Sequence, residues 1–291
     1  MSLLLDIIKK RCYTVRMEKI YERKASGDSL PCSMKDYLRR IGLSATLIKE
    51  AKYGGIFLNG QTVTVRATVC EGDHIEIYQK KKKSEGILPM DIPLRVLYED
   101  EWLIAVDKPT NMPTHPSKGN NLPTLANAVM GYFGGDFVFR SVNRLDRDTS
   151  GVVIIAKHQM AAGLLSDSMK KGLWQKTYYA LIDGIPEQKN GIIDAPIERV
   201  CEGNIKRIVR EDGKRAITQY EIVEEYGDSS LAKIRLLTGR THQIRVHFSH
   251  IGHPLCSDFL YGTTSEKEYF LRCTEIRLPH PITGEILMIK S

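Results

Sequence analysis

Residues 144–151 concentrate side chains that could do chemistry, because two Asp, two Arg, a Thr and a Ser fall within eight positions. The five residues that follow, 152–156, are all apolar and predict a buried strand. A polar loop held by a rigid strand is a common position for an active site. A carboxylate there can act as a nucleophile or a base if a cation keeps it ionised. Considered by itself, this segment can also be explained as an ordinary turn, in which the Asp and Thr side chains accept hydrogen bonds from backbone amides.

Two later segments could complete such a site. A predicted strand ends at Gly239 and a predicted helix follows over Thr241–His250. Arg240 or Arg245 could supply the cation that pairs with the carboxylate, and the amino end of the helix adds positive potential. Between these segments, the alternation of a strand over residues 177–182 places Tyr178 and Ala180 on one face.

Three motifs follow one another along the chain: Arg-Leu-Asp-x-x-Thr-Ser-Gly at 144–151, Lys-x-Tyr-x-Ala at 176–180 and Gly-Arg-x-His-Gln-Ile-Arg-x-His at 239–247. In this order they resemble the RluA-type pseudouridine synthases, from about Leu94 to the carboxyl end. Asp-Lys-Pro at 107–109 and Leu-Pro-His-Pro-x-Thr-Gly-Glu at 278–285 fit as well. Two positions depart from the family pattern. Asn143 replaces a usual His, and residues 256–262 are Cys-Ser-Asp-Phe-Leu-Tyr-Gly instead of the more usual Gly-Asp-Pro-Leu-Tyr-Gly.

The resemblance implies an isomerase that converts uridine in structured RNA to pseudouridine, with no cofactor and no metal. It implies that Asp146 is the catalytic aspartate, with Arg240 as its salt-bridge partner. Tyr178 would stack on the base, and its hydroxyl would reach the edge of the base or assist proton removal from carbon five.

The target uridine must also leave its base stack, at a cost of roughly a few kcal/mol. Arg144, beside the aspartate, is the candidate to fill the vacated position, with a salt bridge inside the loop as the alternative. His242 and Arg245 are expected to contact phosphate or to support the loop.

The charge of the chain is distributed unevenly. The 291 residues carry a formal net charge of +7, and residues 1–86 hold 17 Lys or Arg against 10 Asp or Glu, whereas residues 87–291 hold 25 of each. A basic module on a neutral body indicates a polyanion-binding appendage, although a solvated surface explains the charge equally well.

The basic region contains a compact pattern from Met34 to Tyr78. Two short helices, the second capped by Ser44, precede a strand with an Asn59-Gly60 hairpin turn and a final strand. This order resembles the alpha-L RNA-binding module of a small-subunit ribosomal protein. The resemblance implies RNA contacts from the exposed cations of the two helices, namely Arg39, Arg40, Lys49 and Lys52.

The remainder of the chain predicts an α+β fold with a mainly antiparallel mixed sheet and flanking helices, because strands cluster without a repeating strand–helix alternation. The expected helices are Leu125–Tyr132, Gln159–Lys171 and Thr241–His250. The predicted division is an RNA-binding domain over residues 1–79, a basic linker over 80–93 that includes Lys80–Lys83, and a catalytic domain over 94–291.

Several classes of protein are disfavoured. No apolar run approaches the ~20 residues of a membrane-spanning helix, and six scattered cysteines without a Cys-x-x-Cys pair indicate reduced thiols in the cytoplasm. The expected partner is RNA, with ribosomal RNA favoured and transfer RNA as the alternative, and the chain is expected to act as a monomer without an obligatory protein partner. The alternatives are a non-catalytic RNA-binding protein, a phosphotransferase that uses Asp146 as nucleophile, and a zinc site formed by His247, His250, His253 and Cys256.

Overall fold

The computed structural model describes residues 17–80, 86–117, 123–262 and 268–291. Residues 17–80, called here the N-terminal unit, contain six strands and two helices. In chain order they are β1 (Met17–Lys24), β2 (Cys32–Ser33), α1 (Met34–Arg40), α2 (Ala45–Ala51), β3 (Ile56–Leu58), β4 (Gln61–Thr62), β5 (Thr68–Val69) and β6 (His74–Lys80). The sheet order is β1-β6-β3-β4, with β2 paired to β5.

Local sequence signals explain this unit. The Ser44 hydroxyl caps α2 by accepting a hydrogen bond from the Leu47 amide at 3.3 Å, as predicted. Asn59 and Gly60 both have positive φ, 51° and 79°, which the tight turn between β3 and β4 requires. The predicted helices and hairpin are therefore confirmed. The strand β1 is absent from the sequence predictions.

Residues 95–291 form the second part of the fold, called here the C-terminal body. Its helices are α3 (Leu125–Tyr132), α4 (Gln159–Lys170) and α5 (Gln243–His250). Its strands are β7 (Arg95–Glu99), β8 (Leu103–Lys108), β9 (Ser150–Ala156), β10 (Gln175–Asp183), β11 (Asn190–Asp194), β12 (Ile197–Arg199), β13 (Arg207–Val209), β14 (Ile217–Glu225), β15 (Ser229–Leu236), β16 (Leu271–Pro279) and β17 (Ile286–Lys290).

One large sheet organises the C-terminal body. Its strand order is β11-β14-β15-β10-β16-β9-β8-β7, with β17 also paired to β16. Of the described strand pairs only β9–β16 is parallel, so the predicted α+β class with a mainly antiparallel sheet is confirmed. The centre of β9 is fully buried, as its apolar run predicts.

Gly151 allows β9 and β16 to meet directly behind the first motif. Its φ is +113°, and a Cβ atom there would lie 2.1 Å from the carbonyl oxygen of Cys273. A side chain at this position would push β16 away from β9. The glycine of the motif is therefore a packing requirement at the point where the polar loop joins the sheet.

The N-terminal unit touches the C-terminal body at Gly42, where an added Cβ atom would lie 2.1 Å from Leu164 of α4. The boundary between the predicted domains remains a prediction, because Lys81, Lys82 and Lys83 of the basic linker lie outside the described residues. Within the described ranges, no helix is both long and apolar enough to cross a membrane.

Candidate active site

The three motifs meet at a cleft of about 1290 Å³ in the C-terminal body. This central cleft is lined by residues from the loop before β9, from β10 and from the turn before α5. Six of the predicted site residues contribute to its lining: Arg144, Asp146, Tyr178, Arg240, His242 and Arg245.

Asn143 joins the loop that carries Asp146 to the neighbouring strand. Its Nδ2 donates to the carbonyl of Val152 at 3.1 Å, and its Oδ1 accepts from the amide of Ile154 at 2.8 Å. Because the Asn143 side chain is buried, these two bonds are shielded from water. The residue that departs from the family pattern thus fixes the start of the loop on β9.

Lys108 holds the far side of the same loop. Its fully buried Nζ donates to three carbonyl oxygens, those of Pro109 at 2.9 Å, Met112 at 2.7 Å and Arg147 at 2.9 Å. Burial lowers the pKa of Lys108 to about 8, although the carboxylates of Asp148 and Asp146 act in the opposite direction. The sequence marked Lys108 only as part of a short motif. The structure places its amine beneath the residue that follows Asp146.

The Asp146 carboxylate faces the cleft between two nitrogen donors. Its side chain is 32% exposed, and its Oδ2 lies 3.9 Å from Nη1 of Arg245 and 3.9 Å from Nε2 of His242. Asp146 can therefore present a carboxylate oxygen to a molecule in the cleft, with the guanidinium of Arg245 beside it.

Arg245 is held rigidly by a second carboxylate. Its Nε and Nη2 donate to the two oxygens of Asp258 at 2.6 and 2.7 Å, and both side chains are buried. Burial alone would lower the pKa of Arg245, but the hydrogen bonds and charge of Asp258 outweigh it and raise the pKa. This two-pronged pairing fixes the plane of the guanidinium, so Nη1 stays directed towards Asp146.

Arg240 does not take the predicted position. Its Nε donates to the carbonyl of Arg215 at 2.9 Å, and in the described part of the chain it forms no ion pair with Asp146. The predicted salt bridge between Arg240 and Asp146 is wrong, and Arg245 is the arginine beside the carboxylate. The cause is local backbone geometry, because His242 has a left-handed φ of 58° and turns the chain between the two arginines. For the same reason α5 begins at Gln243 and not at the predicted Thr241.

His242 faces Asp146 from a partly buried position. Its Nδ1 lies 2.8 Å from the Tyr261 hydroxyl, which also accepts a hydrogen bond from the Arg207 amide at 2.9 Å. Burial lowers the pKa of His242, and Asp146 only partly opposes this effect. A neutral imidazole therefore faces Asp146.

Tyr178 lies on β10 with its side chain buried against the floor of the cleft. Burial raises the pKa of its hydroxyl well above the usual value, and the neighbouring Cys273 thiol and Asp146 carboxylate act in the same direction. The hydroxyl is therefore a neutral phenol at physiological pH. It can donate a hydrogen bond, but it is a poor base.

The remaining predicted RNA-contact residues lie on exposed surface. Arg144 is exposed at the edge of the central cleft. The N-terminal cations project from α1, α2 and the residue after α2, outside the cleft, and all four are exposed: Arg39, Arg40, Lys49 and Lys52.

The histidines of the zinc alternative have protein partners. His247 is buried, with Nδ1 2.8 Å from the Thr218 hydroxyl and Nε2 2.9 Å from the Ala195 carbonyl. His253 Nδ1 donates to the carbonyl of Asp183 at 2.9 Å. No cluster of three metal-binding side chains occurs within the described ranges.

Comparison with known proteins decides the family. The sequence model of the RNA pseudouridylate synthase family matches residues 102–250. The relative described as uncharacterized RNA pseudouridine synthase YjbO of Bacillus subtilis is 36% identical over 261 residues, which cover 87% of this chain and 92% of that protein. The chain belongs to the RNA pseudouridylate synthase family. It is therefore an isomerase that acts on RNA, as the three motifs predict.

Two further comparisons support this pseudouridine synthase assignment. Ribosomal large subunit pseudouridine synthase D of Haemophilus ducreyi is 36% identical over 255 residues, 81% of this chain and 77% of that one. The solved structure of human RNA Pseudouridylate Synthase Domain Containing 1 matches with a TM-score of 0.59 and 27% identity, over 68% of this chain and 83% of that one. The predicted pseudouridine synthase fold of the body is confirmed.

Asp258, like Lys108, is a site residue that the sequence predictions missed. It stands in the segment 256–262, whose departures from the family pattern suggested only a change in packing. The available signal was the Asp that this segment shares with that pattern, because a buried Asp requires a cationic partner.

Proposed function

We propose that this synthase isomerises uridine in ribosomal RNA to pseudouridine, with Asp146 as the catalytic carboxylate. The observation that carries the proposal is the Asp146 carboxylate, open to the cleft and flanked at 3.9 Å by Arg245 and His242. The similarity to ribosomal large subunit pseudouridine synthase D supports ribosomal RNA as the substrate class.

The reaction exchanges one bond of the ribose for another. The bond between C1′ and the N1 atom of uracil breaks, the base rotates, C1′ bonds to C5, and the proton on C5 is lost while N1 gains one. A carboxylate beside C1′ can trap or stabilise the electron-poor sugar after the base leaves, as in glycoside hydrolysis. Arg245 lies beside Asp146 for this step, and Asp258 keeps Arg245 in place.

The protonation states of the neighbouring residues limit which group can accept the C5 proton. Tyr178 is a neutral phenol because burial raises its pKa, and it is therefore a poor base. In this scheme the carboxylate of Asp146, which is open to the cleft, accepts the C5 proton once it is free of the sugar. Tyr178 acts through its ring, which stacks on the uracil, and through a hydrogen bond from its hydroxyl.

Binding of the substrate uses both parts of the molecule. Arg144, exposed at the edge of the cleft, would occupy the place that the flipped uridine vacates. The exposed cations of α1 and α2 would hold the surrounding RNA through its phosphates. This scheme needs no cofactor and no protein partner. We further propose that the protein acts as a monomer in the cytoplasm, where ribosomal RNA is its substrate.

The substrate proposal is tested with transcripts that contain uridine tritiated at C5, because bond formation at C5 releases the tritium into water. Ribosomal RNA fragments should release stoichiometric tritium, and transfer RNA transcripts should release none. Mapping pseudouridine in cells that lack the protein should reveal the loss of a ribosomal site. Release from transfer RNA alone, with an unchanged ribosomal map, would contradict ribosomal specificity.

A further inference from the structure

An aromatic ring lies open to solvent beside the proposed active site. Phe259 is 64% exposed, although the residue before it, Asp258, is buried and holds Arg245. Exposed single apolar residues are common on protein surfaces. Phe259 differs from such residues in two ways, its position beside the active site and the two arginines next to its ring.

The turn that carries Phe259 is fixed on both sides. The Asp258 carboxylate accepts from the amides of Leu260 and Tyr261 at 3.0 and 3.1 Å, and the Asp258 carbonyl accepts from the Gly262 amide at 2.8 Å. Gly262 is itself packed closely, since an added Cβ atom would lie 2.8 Å from the Leu255 carbonyl. The exposure of Phe259 is therefore a feature of an anchored turn, in which the ring is held in place before RNA arrives.

Two guanidinium groups lie next to the ring. The Cζ atom of Arg245 is 5.1 Å from the ring centroid of Phe259, and that of Arg147 is 5.6 Å away. Arg147 follows Asp146 in the chain and lines the central cleft. Its side chain is oriented by two hydrogen bonds to Asp148, at 2.9 and 3.0 Å. The exposed ring thus contacts two arginines that line the cleft, one of which directly follows the proposed catalytic carboxylate in the chain.

An exposed aromatic ring beside a guanidinium suits an unpaired nucleotide. Bases of single-stranded RNA stack on such rings, and the cation attracts both the ring and the nearby phosphate. When a uridine is flipped into the cleft, the bases that flank it lose a stacking partner. A rigid ring at the edge of the cleft can replace that partner.

We propose that Phe259, together with Arg147, forms a stacking site for the base of a nucleotide adjacent to the target uridine. The inference rests on the proposed function, because it requires that Asp146 marks where the uridine binds. Phe259 is then a residue for substrate recognition and takes no part in bond breaking.

The test compares three forms of the full chain: wild type, Phe259→Leu, which removes the ring but stays apolar, and Phe259→Trp, which restores a ring. Each is titrated with the ribosomal RNA hairpin that releases tritium fastest. Two matched hairpins lack the base on the 5′ or the 3′ side of the target uridine. Tyr226→Leu is the control, because Tyr226 is 47% exposed in the turn between β14 and β15, away from the strand ends that line the cleft.

Phe259→Leu should weaken binding to the intact hairpin by about tenfold, within the range measured for the loss of one base–aromatic stack. The effect should disappear on one of the two abasic hairpins, and Phe259→Trp and Tyr226→Leu should bind like wild type. Equal affinity of Phe259→Leu and wild type for the intact hairpin, or the same loss on all three hairpins, would overturn the proposal. Tritium release by the wild type on the intact hairpin, measured in parallel, reports separately on the proposed function.

Discussion

The N-terminal unit and the C-terminal body use charge in opposite ways. The first 86 residues hold the whole net excess of +7, of which the N-terminal unit itself carries +2, with 10 Lys or Arg against 8 Asp or Glu. The cations of this unit that are expected to contact RNA are exposed on α1, α2 and the residue after α2. Residues 87–291 are neutral overall, yet three charged side chains close to Asp146 are buried: Lys108, Arg245 and Asp258. Net charge therefore identifies where RNA is attracted, whereas buried charge identifies where the geometry of the site is fixed.

This difference determines how each region should respond to substitution. Each exposed cation adds a separate contribution to the electrostatic free energy of RNA binding. Its removal therefore weakens binding in proportion to the number of phosphates it neutralises. A buried charge is paired with specific partners, and removal of one partner leaves the other unpaired in a medium of low polarity. Substitutions of the buried charges beside Asp146 should therefore change the rate of the reaction, and those of the exposed cations in the N-terminal unit should change affinity.

The largest contrast should come from the two arginines of the third motif. Arg245→Lys keeps the charge but loses the two-pronged bond to Asp258, so the cation no longer holds its position beside Asp146. We expect kcat to fall by about 100-fold, the cost of misplacing one group in an active site. Arg240→Lys is the matched control, with an expected change in kcat of less than about threefold. Single-turnover tritium release measures both. A larger loss for Arg240→Lys would show that the wrong arginine has been placed beside Asp146.

A smaller effect should appear as a dependence of activity on pH. Below a pH of about 8 the Lys108 amine has three protons for its three carbonyl partners. Above that pH it loses one donor, the loop that carries Asp146 loosens, and kcat should decline. Lys108→Met should start from a lower kcat and lack this decline. If the decline persists in Lys108→Met, another group is responsible.

Deprotonation of Lys108 should affect the stability of the protein in the opposite direction from its effect on kcat. The pKa of Lys108 is about 8 in the folded protein and near 10.4 in an unfolded chain, so between these values the unfolded state binds more protons. The contribution of Lys108 to the free energy of unfolding should therefore increase from pH 8 to about 10. Urea unfolding of the wild type and of Lys108→Met, compared across this range, isolates that contribution. A contribution that decreases with pH would contradict the assigned direction of the shift.

The smallest effect on chemistry should come from the N-terminal unit. Replacement of its four exposed cations by Gln should lower the slope of log affinity against log salt by about 0.9 for each phosphate that is no longer neutralised, and leave kcat within about twofold. These residues are Arg39, Arg40, Lys49 and Lys52. Substitution is preferable to deletion, because Gly42 packs against Leu164 of the body.

The control for that experiment places the same charge change on exposed cations of the C-terminal body that lie outside the central cleft. Suitable positions are the exposed Lys189, Arg277 and Lys290, together with the half-buried Lys233. These replacements should change the salt slope much less than the N-terminal ones. An equal change in slope from both sets would remove the distinction between the two regions.

The sequence predicts the elements of the site better than its contacts. The helix Leu125–Tyr132 and the buried strand after Asp146 follow directly from local apolar patterns, and both occur where expected. The short hairpin of β12 and β13 was missed because its strands have three residues each and carry little alternation. The pattern of apolar residues therefore predicts a helix or strand reliably only where the element is long enough to show a period.

The contacts around Asp146 depend on geometry that no local pattern encodes. The choice between Arg240 and Arg245 is set by the left-handed conformation of His242, and the rigidity of Arg245 comes from Asp258, thirteen positions further along the chain. The three partners of Lys108 include a carbonyl 39 residues away. Such long-range pairings of buried polar groups become visible only in the folded chain.

The most direct test of the proposed mechanism is tritium release by Asp146→Asn at saturating RNA. The substitution keeps the size of the side chain and removes the negative charge. The mechanism predicts that tritium release falls below detection, while affinity for the same RNA stays within about threefold of wild type, because phosphate contacts by surface cations dominate binding. Substantial tritium release from Asp146→Asn would contradict the assignment of Asp146 as the catalytic carboxylate.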